Sequence, residues 1–95
     1  MSSQDFMEIV RPVVDLLARK NADYGGSYDQ LRDKFGEVAF IIRLYDKFAR
    51  LMTLVKQEAQ VSNESIEDTI RDMIGYSLLE LRYRQREAGN SAKPV

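Results

Sequence analysis

Neither cysteine nor histidine occurs among the 95 residues. Without cysteine there is no disulfide framework, no thiolate metal site and no thiol nucleophile. Without histidine the chain lacks the commonest general base and the commonest zinc ligand. Any metal would have to sit among carboxylates, which favours magnesium or manganese. No apolar run approaches the roughly 20 residues needed to span a membrane. The opening MSSQDFMEIV has neither the basic start nor the apolar stretch of a signal peptide, so a cytoplasmic setting is the default expectation. No charge of one sign dominates either. With 14 basic and 15 acidic residues the net charge is -1, which argues against direct, electrostatically driven binding to DNA or RNA.

What is present is ordinary for a folded domain: 44% of the residues are hydrophobic, too many for disorder. A chain of this length is one small domain, residues 1–95, burying only about 60–65% of the surface it exposes when unfolded. Assembly with further copies would supply the missing burial, so a homo-oligomer, dimeric or higher, is expected.

Periodicity predicts an all-α fold, a three-helix unit with a long antiparallel hairpin assembling into a helical-bundle oligomer. The first helix is predicted over residues 3–20, with Phe6, Ile9, Val10, Val13, Leu16 and Leu17 on one face. Pro12 either kinks it or marks a later start. Asn21 to Tyr28 contains the Gly25-Gly26 pair and reads as a break, opening a loop over residues 21–36 in which Asp29 to Arg32 could form a helical turn. The second helix is predicted over residues 37–57, with a wide apolar face that includes Val38, Ile41, Leu44, Tyr45, Phe48, Leu51, Met52 and Val55. Its Arg43, Asp46, Lys47 and Arg50 fall together on the opposite side. The third helix is predicted over residues 63–87, capped by Ser62 or Asn63, with Glu64, Glu67 and Asp68 complementing its dipole. Residues 89–95 read as a frayed tail.

If the second and third helices are antiparallel, positions summing to about 121 lie level, which sets Arg50 beside Arg71 or Asp72 and Asp46 beside Gly75. The third helix then has a core stripe of Ile66, Ile70, Met73, Ile74, Ser77 and Leu81. It has a second stripe of Asp68, Asp72, Gly75, Tyr76, Leu79 and Tyr83. A purely solvated stripe would not turn apolar halfway, so this side should also meet protein, with Asp68 and Asp72 partly enclosed. Enclosed carboxylates need partners, and Arg43, Lys47 and Arg50 are the nearest candidates. Asp46, Asp68 and Asp72 could share a metal that holds phosphate oxygens, while the basic residues bind those oxygens directly. The plain alternative is a set of interhelical salt bridges. Backbone amides around Gly25-Gly26 could cup an anion with Tyr24 stacked on a base. Tyr45 and Tyr76 read as packing residues, and Arg82, Arg84 and Arg86 suit the last helix's dipole and solubility.

Three motifs now carry a resemblance. Lys20-Asn21-x-Asp23-Tyr24-Gly25-x-Ser27, Ile42-Arg43-Leu44-x-Asp46-Lys47-x-x-Arg50-Leu51 and Glu64-Ser65-x-x-Asp68-Thr69-x-x-Asp72-x-x-x-Tyr76 closely resemble the nucleotide modification associated domain family of small bacterial and phage proteins. The likeness covers Lys20 to Leu81. It implies a nucleotide or modified-nucleotide ligand held by Lys20, Asp23, Tyr24, Gly25, Ser27, Arg43, Asp46, Lys47, Arg50 and Tyr76, in a sensor, escort or sequestering protein. The helical pattern is also distantly similar to the MazG-like all-alpha nucleoside triphosphate pyrophosphatases. That likeness implies an alternative: a magnesium-dependent pyrophosphohydrolase with Asp46, Asp68, Asp72 and Glu64 as metal candidates and Asp68, Asp72 and Lys47 as catalytic ones. The chain departs from the enzyme pattern, with Asp46-Lys47 in place of ExxE and Thr69 where an ExxD glutamate would fall. A third reading is a structural, salt-bridged helical interaction protein.

Overall fold

The computed structural model describes residues 1–24, 26–57 and 63–91. Over these residues the protein is all-α, with four helices: α1 (Ser3–Tyr24), α2 (Ser27–Phe35), α3 (Val38–Lys56) and α4 (Asn63–Ser91). The long hairpin expected from the periodicity is α3 against α4. The Lys47 ammonium lies 3.1 Å from an Asp72 carboxylate oxygen, within two residues of the register read from the sequence.

Three boundaries differ from expectation. The first helix runs straight through Pro12 to Tyr24 instead of stopping at Lys20; Pro12 cannot donate to the carbonyl of Glu8, but one missing bond in a helix of 22 residues does not end it. Most of the segment expected as a loop is α2, nine residues long. It starts at Gly26 (φ 73°) and ends at Gly36 (φ 74°), whose N–H donates to the Arg32 carbonyl at 2.9 Å. Both glycines take the left-handed backbone that other residues adopt only at a cost. The last helix continues through Gly89 to Ser91. Asn63, one of the two N-caps considered, is the first residue of α4; Ser62 and the tail beyond Ser91 lie outside the described residues.

Two layers result. One face of the α3–α4 hairpin is covered by α1 and α2. Gly75 of α4 faces α1: a Cβ there would stand 3.9 Å from Leu17 Cδ1, an ordinary van der Waals contact. Val13, Tyr28, Ala39 and Tyr83 are the buried hydrophobic residues, joined by the buried polar residues Thr69 and Glu80. The Thr69 hydroxyl donates to the Ser65 carbonyl at 2.8 Å, which satisfies it inside its own helix.

The other face of the hairpin is bare. Val38, Ile41, Tyr45, Phe48, Met52 and Val55 of α3, and Ile70 and Leu81 of α4, are all exposed. The stripes read from the sequence as core are therefore only partly covered within one chain. Phe6, Ile9 and Leu16 of the first helix's apolar face are exposed too. The chain's accessible surface is 7417 Å², against roughly 5,600 Å² expected of a compact monomer of 11.0 kDa.

Candidate functional site

The covered side of the hairpin encloses a cleft of about 720 Å³. One wall is apolar: Pro12, Val13, Leu16 and Leu17 from α1, with Leu31 and Leu79. Tyr28 and Tyr76 also border it, their ring centroids 6.2 Å apart and inclined by 40°. The remaining lining is cationic. Among the described residues, Lys20, Arg43, Lys47 and Arg71 face a single acid, Asp72. Arg43 and Lys47 stand one helical turn apart, on the α3 face turned toward α1 and α2.

These cations are unequally engaged. Lys47 pairs with Asp72 at 3.1 Å, and both side chains are partly exposed. Arg71 reaches Asp68 at 2.9 Å and Glu67 at 3.4 Å along its own helix. Lys20 and Arg43 form no ion pair among the described residues. Among the described residues the cleft therefore has more positive charge than its one carboxylate can balance, beside an apolar and aromatic wall.

Beyond Tyr28 lies a cluster of the opposite kind. Glu80 is only 3% exposed and saturated. It accepts from the Tyr28 hydroxyl at 2.8 Å, from Arg32 through Nε at 2.9 Å and Nη2 at 3.1 Å, and from Arg84 Nε at 2.6 Å. Burial by itself would raise the Glu80 carboxyl, but the hydrogen bonds from Arg32, Tyr28 and Arg84 outweigh it and hold it at about 2. Burial, followed by the bond to Glu80, pushes the Tyr28 phenol upward. The Tyr83 hydroxyl donates to Asp33 at 2.6 Å, and the Arg32 and Arg86 guanidinium carbons stand 4.7 and 5.0 Å from its ring centroid. Asp29 takes Arg82 at 2.6 Å and Arg86 at 3.0 Å on one oxygen. So these arginines do more than complement a helix end: Arg82 and Arg86 tie α4 to α2 through Asp29, and Arg84 reaches Glu37 ahead of α3 at 3.3 Å.

Of the residues singled out in the sequence, Lys20, Ser27, Arg43, Lys47, Asp72 and Tyr76 come together around the cleft. Asp46 and Arg50 do not. Both are exposed and line no part of it, so the niche expected between Asp46, Arg50 and Asp72 is not formed. A helical projection groups residues 43, 46, 47 and 50 within one broad sector, but α1 and α2 cover only the edge that carries Arg43 and Lys47. Asp68 is likewise not enclosed: its side chain is 65% exposed and engaged by Arg71. Asp23, Tyr24, Gly25 and Glu64 lie outside the residues whose side chains are described.

Among the described residues no three carboxylates gather as a group able to hold a metal ion. Asp72 is held by Lys47 and Asp68 by Arg71, while Asp46 is exposed and lines no part of the cleft. No helix among the described residues is long and apolar enough to cross a membrane.

Sequence reasoning missed the Tyr28–Arg32–Glu80–Arg84 cluster. One signal was available. Glu80 falls seven residues after Met73 and three after Ser77, on an inward stripe, where an acid demands partners. Arg84, four residues on, is one of them.

The geometry defines an all-helical protein with a cationic, tyrosine-bordered cleft between a helical hairpin and an N-terminal helix. Its sequence matches nucleotide modification associated domain 1 over residues 20–82, and the chain belongs to that family. The matched span holds the whole cationic lining, from Lys20 to Asp72, and the Glu80 cluster as far as Arg82. The apolar wall contributed by Pro12, Val13, Leu16 and Leu17 precedes it. Comparison with curated proteins and with solved structures gave no match.

Proposed function

We propose that the protein binds a phosphate-bearing nucleotide in this cleft, without needing a metal held by its own carboxylates. The observation that carries the reading is the pair of cations Lys20 and Arg43, with no ion pair among the described residues, set beside Lys47 and an apolar, tyrosine-bordered wall. Lys and Arg supply the donors that phosphate oxygens take up, and a planar base has the α1 leucines and the Tyr28 and Tyr76 rings to lie against. A volume of 720 Å³ falls within the range of about 300–1,000 Å³ that small-molecule sites occupy. The family's association with nucleotide modification supports the same ligand class. Such a protein would act as a sensor, an escort or a sequestering module.

A magnesium-dependent pyrophosphohydrolase would need carboxylates gathered on one ion, and Asp46, Asp68 and Asp72 do not supply them. The reading is tested by calorimetry and thermal shift with mono-, di- and triphosphates of each base, alongside assay of released pyrophosphate. Stabilisation that rises with phosphate number and is absent with nucleosides is expected, without turnover. No stabilisation by any nucleotide would refute binding, and magnesium-dependent pyrophosphate release would replace it with the hydrolase.

A further inference from the structure

We propose that the bare face of the α3–α4 hairpin is where a second copy of this chain docks, closing a four-helix bundle. The α3 stripe from Val38 to Val55 advances in steps of three and four residues, the spacing of a knobs-into-holes seam. A parallel stripe on α4 contains Ile70, Ile74 and Leu81. Between the two helices runs an apolar groove floored by Leu44 and Leu51 of α3 and Met73 and Ile74 of α4, with no charged residue in its lining. A surface of this kind, apolar except for Ser77 in the groove and spanning two long helices, is what one half of a bundle core looks like before its other half is added.

Two observations identify the occupant as another copy. The first is size. The exposed parts of the large apolar side chains on this face come to roughly 800 Å² per chain, about what one partner contributes to a standard stable interface. That removal, taken from each copy, would take away somewhat under half of the surface in excess of the value expected of compact folding. The second is self-complementarity. The α3 stripe reads nearly the same in both directions from Phe48: Ile41 lies seven residues before it and Val55 seven after, Tyr45 three before and Met52 four after. Two such helices packed antiparallel set Phe48 against Phe48 and each end against its counterpart, the self-matching arrangement that a two-fold axis requires.

The cleft lies on the opposite side of α4, where Asp72, Gly75 and Leu79 line it. Assembly and nucleotide binding are therefore read separately, and the failure of one leaves the other standing. Sedimentation equilibrium of the full chain tests the pairing. A mass of twice 11.0 kDa is expected at micromolar concentration. Tyr45 is 71% exposed in the single chain, so Tyr45→Glu does not disturb the fold of one copy, yet it buries a charge at the seam. Its dimer dissociation constant should rise at least a hundredfold. Because the chain has no cysteine, Phe48→Cys gives a second reading: oxidation should yield a disulfide-linked dimer, while Asp46→Cys, on the far side of α3, should not. A wild-type monomer at about 50 μM would overturn the proposal and leave the face to a different protein. So would a Tyr45→Glu dimer of unchanged affinity, or equal cross-linking from both cysteine positions.

Discussion

The two ends of the covered layer use the same residue types to opposite effect. At the Glu80 end, arginines from α2 and α4 and the Tyr28 hydroxyl converge on one buried carboxylate, and Glu37 supplies both arginines with a second acid. At the Lys20–Arg43 end, basic side chains surround a cleft whose lining, among the described residues, contains one acid. The first arrangement closes upon itself and holds α2 to α4. The second leaves positive charge facing an open volume. Charge density alone does not distinguish a structural cluster from a binding site; the balance of donors and acceptors within each does.

The contrast can be broken most forcefully at Glu80. Glu80→Ala leaves the nearly buried Arg32 with only the exposed Glu37, 3.9 Å away, as counter-ion, and should cost about 3 kcal/mol in urea unfolding. A loss below about 1 kcal/mol would mean that the cluster is ornamental. Titration probes the same group. Its folded pKa of about 2 lies below the ordinary value of 4.5, so the stability it confers is fully present above pH 4.5 and is lost as pH falls toward 2. The loss should be about 3 kcal/mol by linkage. Acid titration followed by circular dichroism should show that slope flattened in Glu80→Gln.

At the cleft, stability and binding should part company. Arg43→Glu removes a charged donor from a side chain with no ion pair among the described residues. Nucleotide affinity should fall roughly ten- to a hundredfold, the worth of a charge-assisted hydrogen bond, with unfolding changed by no more than about 0.5 kcal/mol. The smallest and most diagnostic change is Asp72→Asn. If Asp72 only restrains Lys47, its neutralisation should tighten nucleotide binding roughly two- to fivefold. A loss of binding in isothermal titration would instead make Asp72 a direct participant.

Much of this architecture is legible in the sequence because it rests on helical periodicity. The α3–α4 hairpin follows from two apolar stripes, and the alternation of Gly75 and Tyr76 with Leu79 marks the side that meets α1. The helix α2 is harder to read: Tyr28, Leu31 and Phe35 give too short a pattern to separate nine residues of helix from a turn, and its ends are set by two glycines. The division of α3's charges is not encoded in α3 at all. Arg43 and Lys47 face the cleft, and Asp46 and Arg50 do not, because of where α1 and α2 lie. A projection of one helix carries no information about which neighbour arrives or at what angle. For the same reason the stripe from Val38 to Val55 reads as core, although nothing within one chain covers it.

Tyr28 belongs to both ends: its ring borders the cleft while its hydroxyl is fixed to Glu80. The chain has five tyrosines and no tryptophan. Its ultraviolet emission is therefore tyrosine light alone, and two of its emitters, Tyr28 and Tyr76, stand at the mouth of the cavity. A base laid against those rings would alter that signal directly, giving the native chain an optical gauge of occupancy with no label attached.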